Sequence, residues 1–244
     1  MGDVLKVQNK LGEALDAYRH ALAICQQLVE RDKSNGGWQS DLSWCYNKVG
    51  EVLVAQSKLP EAVDAFERAL AINQRLVEQD KTNTDWQSDL AAGYEKVGDI
   101  ALSQGKAAEA FAKYEVSLGI RQSLADQDKT NSSSQSDLAA SHEKVGDALK
   151  ARGNLEGAAA EYQSSLSIRR VLTDQDKSNT DWQHDLIVTL QKLAAAEAMV
   201  QGGDHSQAAK TLLQEAAKLA ADYQGPDRQG MIDSINEASQ TLAQ

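Results

Sequence analysis

The chain repeats itself every 48 residues. Tyr94-Glu95-Lys96-Val97-Gly98-Asp99 is preceded 48 residues earlier by Tyr46-Asn47-Lys48-Val49-Gly50-Glu51 and followed 48 residues later by His142-Glu143-Lys144-Val145-Gly146-Asp147. One further step in each direction reaches Gly2-Asp3 and Lys192-Leu193-Ala194. A fixed period of this length means one supersecondary unit stacked on copies of itself. At 244 residues the length alone allows one or two globular domains. The period overrides that prior, because a stacked array has no single core to outgrow.

Each unit reads as two helices. Ala, Leu, Gln, Glu and Lys dominate and there are only two prolines, a composition that favours helix. In the copy at 84–131, Thr84-Asp85-Trp86-Gln87 has the form of a capping box, with a hydroxyl at the N-cap and Gln three residues on. Thr180-Asp181-Trp182-Gln183 and Ser132-Ser133-Ser134-Gln135 repeat it, and Gly36-Gly37-Trp38-Gln39 offers the weaker Gly cap. A first helix is predicted from Trp86 to Gln104, with Leu90, Val97 and Leu102 at helical spacing. It should stop near Gly105, whose counterparts are Asn9, Ser57 and Gly153; Ser57 is the poorest fit to the left-handed conformation that ends helices.

A second helix is predicted from Ala107 to Asp126. Its landmarks recur: Ala14, Ala62, Ala110 and Ala158; Tyr18, Phe66, Tyr114 and Tyr162; Leu22, Leu70, Leu118 and Leu166. Ile24, Ile72, Ile120 and Ile168, then Leu28, Leu76, Leu124 and Leu172, extend the pattern beyond one face. A helix buried on two sides is what the middle layer of stacked hairpins requires. Each second helix ends in Asp-Lys-Ser/Thr-Asn, at 32–35, 80–83, 128–131 and 176–179, which reads as a connector. No strand pattern is present.

The residue pattern resembles tetratricopeptide repeat (TPR) proteins. With Gly50 at the eighth place of a unit, Tyr46 matches the first aromatic, and Ala62, Phe66 and Ala69 match the second helix. The 48-residue period exceeds the family's 34, so the likeness is nearer to the longer repeats of kinesin-light-chain-type proteins, and Ala69-Leu70-Ala71-Ile72 followed by Leu76 strengthens it. Departures are the missing proline at the repeat end, Ser117 and Ser165 for the second small Ala, and loss of the aromatic at His142 and Leu190. The resemblance implies an all-α, right-handed α-solenoid of stacked antiparallel hairpins. The expected array covers 1–224, with hairpins at about 1–33 (truncated), 36–81, 84–129, 132–177 and 180–224. Gly202-Gly203-Asp204 lengthens the last turn, Gly225-Pro226-Asp227 breaks the chain, and Met231, Ile235, Ala238 and Leu242 suggest a C-terminal capping helix over 226–244. The truncated first repeat suggests a fragment of a longer protein, or a first helix reduced to a remnant.

Nothing in the sequence points to catalysis, and the expectation is that the protein is not an enzyme. His20, His142, His184 and His205 lack the spacing of a metal site, and no cofactor motif occurs. Cys25 and Cys45 lie on consecutive predicted helices, a placement that allows them to approach each other, and are read as two buried free thiols in a reducing compartment. No apolar run is long enough for a bilayer, and residues 1–20 lack a signal-peptide core, so no membrane partner is expected and the cytoplasm is the default location. Asp plus Glu outnumber Lys plus Arg by 36 to 25, a net charge of −11, which repels nucleic acid and suits a basic peptide or protein.

In proteins with this resemblance, ligands contact the second, fifth, ninth, twelfth and thirteenth places of the first helices. Carried over, these give a candidate partner-binding set of Trp44, Asn47, Glu51, Glu95, Asp99, Leu102, Glu143, Asp147 and Lys150. Fifth and ninth places share a helical face, so Glu95 with Asp99, and Glu143 with Asp147, form adjacent carboxylate pairs. The lysine column Lys48, Lys96, Lys144 and Lys192 is read as solvated or paired with carboxylates one turn away. The expected function is a protein–protein interaction scaffold that holds a Lys- or Arg-containing peptide or partner domain in an acidic groove. The alternative is a structural or sensory arm of a larger enzyme or signalling protein. Self-association through an uncovered N-terminal hairpin is a further expectation.

Overall fold

In the computed structural model, which describes residues 2–200 and 205–242, every regular element among the described residues is a helix. The turn proposed at Gly202-Gly203-Asp204 lies outside the described residues. The chain divides into two compact units, Met1–Ile120 and Arg121–Gln244. The first contains α1 (Gly2–Val7), α2 (Leu11–Arg31), α3 (Gly36–Ala55), α4 (Leu59–Gln79), α5 (Thr84–Ser103) and α6 (Ala107–Gln127) as far as Ile120. The second contains the end of α6, then α7 (Ser132–Ala151), α8 (Leu155–Gln175), α9 (Thr180–Met199), α10 (His205–Asp222) and α11 (Arg228–Thr241).

Helix boundaries follow from polar residues at fixed places. The four connectors are compact structured turns. In each, the first Asp accepts hydrogen bonds from both the backbone N–H and the hydroxyl two residues on, as Asp80 does from Thr82 at 2.8 and 2.6 Å. The closing Asn is then the N-cap: Asn35, Asn83 and Asn179 accept from the N–H groups of Trp38, Trp86 and Trp182, and Asn131 from Ser134. This corrects the expected capping boxes. The cap lies one residue earlier than Thr84, Ser132, Thr180 or Gly36, and Gln87 donates instead to the Lys81 carbonyl. Asn wins because it is among the strongest N-cap residues, and its short amide reaches the third amide of the helix without bending the entry.

First helices end as the sequence suggests. Asn9, Ser57, Gly105 and Gly153 have φ of 58, 60, 75 and 78°. At Ser57 the paired bonds Ser57 N–H to Val54 O and Lys58 N–H to Leu53 O, both 2.8 Å, complete a Schellman turn, so a serine occupies the left-handed place against its preference.

Within the first unit each helix packs on the next, α1 on α2 through α4 on α5. Within the second, α7 packs on α8, α8 on α9, α9 on α10, and α10 on α11. The crossing inside each of the first four hairpins is set by a glycine against an aromatic ring. A Cβ added at Gly2, Gly50, Gly98 or Gly146 would sit 2.5 to 2.7 Å from the ring of Tyr18, Phe66, Tyr114 or Tyr162. The alanines Ala14, Ala62, Ala110 and Ala158 are fully buried one turn before those rings. At Leu190 a fully buried aliphatic side chain takes the place of the lost first aromatic. His142 instead holds a partly buried contact with Glu161, at 2.7 Å. Ile24 departs from its column by being 60 % exposed on α2.

Candidate partner-binding face

The first helix of each repeat places residues three, seven and ten apart on one side, so Trp44, Asn47, Glu51 and Val54 share a face of α3, and Ala92, Glu95, Asp99 and Leu102 share a face of α5. Trp44 is half exposed, with its ring edge-on to Tyr18 at 6.3 Å and the Lys48 ammonium 5.6 Å above it. Asn47 is half-buried, and its carbonyl oxygen has no partner in the protein. Between α3 and α5 lies a cleft of about 250 Å³ lined by Glu51, Val54, Leu59, Phe66, Lys96, Asp99, Ile100 and Ser103.

The carboxylates of this face are tied into the fold. Tyr18 donates to Asp3 at 2.7 Å, Tyr114 to Asp99 at 2.7 Å, and Tyr162 to Asp147 at 2.6 Å. A lysine from the next repeat joins them: Lys48 reaches Asp3 at 3.2 Å and Lys192 reaches Asp147 at 2.8 Å. Where the aromatic is Phe66, with no hydroxyl, the ninth place is the longer Glu51. It is held by Lys6 at 2.8 Å and Lys96 at 2.9 Å, while Lys96 also caps the Phe66 ring at 5.6 Å. Lys48, Lys96 and Lys192 of the lysine column are therefore neither solvated nor paired mainly within their own helices. They bridge first helices, with a spacing of 45, the 48-residue repeat less the three between eligible places.

These contacts shift titrations. The Tyr18 hydroxyl, then Lys48, hold Asp3 below the ordinary carboxylate range. Burial opposes ionisation of Glu51, but its bonds from Lys6 and Lys96 outweigh burial and lower its pKa. Burial likewise works against the Lys192 ammonium, and Asp147 and Glu143 overcome it, so its pKa rises.

Glu95 accepts from Ser117 at 2.7 Å, and this explains the serine at a place where the family has a small Ala. Glu143 is buried. It accepts from Ser165, Arg169, Thr189 at 2.8 Å and Lys192, and Arg169 goes on to Asp185. A buried charge of this kind is tolerated only with such partners. This corrects the reading of Glu143 as a groove side chain: its carboxylate holds the α7–α8–α9 packing. Asp147 and Lys150 are half-buried in the second unit, Leu102 is half-buried and Asp99 exposed in the first. The hydroxyls of Tyr18, Tyr114 and Tyr162, with Arg169 and Thr189, were absent from the candidate set. The lysine column was recognised, but its 45-residue offset was the signal for its partners.

Among the described residues no group of three or more His, Cys, Asp or Glu is placed to hold a metal ion, and no helix is long and apolar enough to cross a membrane. Residues 42–80 match the tetratricopeptide repeat family model. Comparison with curated proteins gives no match. Among solved structures, the chain is similar to a kinesin light chain of nearly identical TPR-like repeats from Podosopora anserina, at 18 % identity over 91 % of this chain and 92 % of that one, with a TM-score of 0.64. It is similar to the apo form of RapI at 16 % identity and a TM-score of 0.69, over 99 % of this chain but 61 % of that one. The yeast histone chaperone Hif1 is similar at 13 % identity over 83 % of this chain and 95 % of that one, with a TM-score of 0.53. At these identities the likeness establishes the fold alone.

Proposed function

We propose that the chain is a tetratricopeptide repeat protein that works as an interaction scaffold, binding a peptide or partner domain on the first-helix face of residues 2–120. The observation that carries this reading is the half-exposed Trp44 on the same face as the Phe66-floored cleft between α3 and α5. A large aromatic left half in water beside a concave site is the kind of anchor on which binding energy concentrates. Among the relatives in fold, Hif1 is described as a scaffold protein recruiting protein complexes to core histones, which is in keeping with a scaffold here.

The partner carries Lys or Arg. This finer part rests on the net charge of −11. It does not rest on the acidic column, because Glu51, Asp99, Glu143 and Asp147 already have partners within the fold. A basic side chain with an apolar neighbour in the cleft, whose lining includes Asp99, is the simplest occupant.

A peptide array of Lys- and Arg-containing sequences, against neutral and acidic controls, tests this. Basic peptides with an apolar residue should bind. Trp44→Ala should weaken capture about tenfold, as loss of a hot-spot aromatic does. Asp99→Lys should weaken basic peptides selectively. Equal binding by wild type and both variants would remove this face from the reading.

A further inference from the structure

The two cysteines of the chain face each other across α2 and α3, with Cys25 Sγ 3.0 Å from Cys45 Sγ. Both are free thiols; Cys45 is buried and Cys25 is partly exposed. The corresponding places in later repeats hold other polar locks or small residues. Asn73 faces Gly93 and donates to the Asp89 carbonyl; Arg169 faces Thr189 and pairs with Asp185. At this one interface between a second helix and the next first helix, the lock is a dithiol.

We propose that Cys25 and Cys45 are a modification site, oxidised to an intramolecular disulfide by a small-molecule disulfide and reopened by thiols. The sulfurs need to close by only about 1 Å to reach bonding distance, and they already lie at the separation of a near-attack arrangement. The order of events follows from exposure. Cys25 meets solvent, so its thiolate attacks one sulfur of oxidised glutathione; the glutathione S–S bond breaks and one glutathione thiolate leaves. Cys45 then loses its proton and attacks Cys25 Sγ, which breaks the mixed disulfide and releases the second glutathione. Two protein thiols lose two electrons and two protons, and one oxidised glutathione becomes two reduced ones. Burial, then the Cys25 sulfur, push the Cys45 thiol up to about 12, which disfavours Cys45 as the first attacker and leaves it the resolving partner. The inference is independent of partner binding.

The test incubates the full chain with graded ratios of oxidised to reduced glutathione, then reads the intact mass, the thiol count and the peptides joined after digestion. The expected product is a monomer lacking both thiols, with the α2 and α3 peptides linked, restored by dithiothreitol. Closing the loop from Cys25 to Cys45 should also raise the melting temperature of the unit containing them by about 10 °C. Cys45→Ser, using the residue found at the equivalent Ser141, should stop at a glutathione adduct on Cys25; Cys25→Asn, using the residue of Asn73, should leave Cys45 unmodified. Both substitutions keep residue types that the other repeats accommodate. Intermolecular disulfides, a wild-type product that stops at the mixed disulfide, or two thiols that stay reduced in fully oxidised buffer would each overturn the proposal.

Discussion

Gly98→Ala should destabilise the protein, and Gly119→Ala should stabilise it. Both glycines lie inside helices, where alanine is intrinsically better by about 1 kcal/mol. Around Gly119 an added Cβ meets nothing within 4 Å, so the intrinsic gain should appear nearly whole. At Gly98 the same Cβ would lie 2.5 Å from Tyr114 Cε1, 2.8 Å from Cδ1 and 3.1 Å from Cζ. Carbon atoms prefer about 3.5–4.0 Å, so the ring must retreat by about 1 Å. It has little room: Tyr114 is only 2 % exposed, and its hydroxyl is tied to Asp99 at 2.7 Å. Overpacking of this kind costs about 1–3 kcal/mol, and displacing the hydroxyl adds about 1 kcal/mol. The helix gain offsets part of this, for a net loss of about 1–3 kcal/mol.

Urea unfolding followed by circular dichroism measures both variants, compared by midpoint because repeat arrays can depart from two-state behaviour. Tyr114→Phe provides the internal control. It keeps the ring but releases the tether, and Phe66 shows that a phenyl ring is accepted opposite Gly50. In the wild type the change removes a hydrogen bond. In the Gly98→Ala background that bond is already compromised, so the two effects should fall short of additivity by about 0.5–1 kcal/mol. A Gly98→Ala midpoint equal to or above wild type would refute the crossing geometry, whatever Gly119→Ala does.

Three further outcomes test the turns. Asn83→Ala should lower stability by about 1 kcal/mol while Thr84→Ala should change it little, since Asn83 accepts from Trp86 N–H and Thr84 is already inside the helix; the reverse order in chemical denaturation would restore the hydroxyl cap. Ser57→Gly should stabilise by about 1 kcal/mol, because Ser57 sits at φ of 60° where only glycine is unstrained; a lowered melting temperature would count against it. Stability should be flat near neutral pH and fall below about pH 4. The hydrogen bonds of Ser34, Thr82, Thr130 and Ser178 hold Asp32, Asp80, Asp128 and Asp176 below the ordinary value of 3.8, so their contribution is present above that value and lost as pH falls through the lowered folded one; a urea midpoint unchanged from pH 5 to pH 2 would contradict the turns.

What was legible in the sequence depended on whether a residue acts through its own repeat or through the next. Gly98, Tyr114 and the left-handed stops at Gly105 and Gly153 act within one hairpin, so a single period displays them. Asn83 was misread because Thr84 beside it has the form of a good cap. The hydroxyl pattern was real, but the amide one residue earlier has the better reach. The charges on the candidate face were harder for a deeper reason. Glu51 answers to Lys6 on one side and Lys96 on the other, each 45 residues away, and no view confined to one helix brings them together. A column of carboxylates aligned by period therefore looks like an acidic surface, although the same period brings a column of lysines up to it. The repeat that makes the fold readable also makes its surface charge misleading, because in an array a charge and its counter-charge recur together. What the period does not duplicate on that face of the first unit is Trp44, where the other first helices have Ala92, Ala140 and Val188.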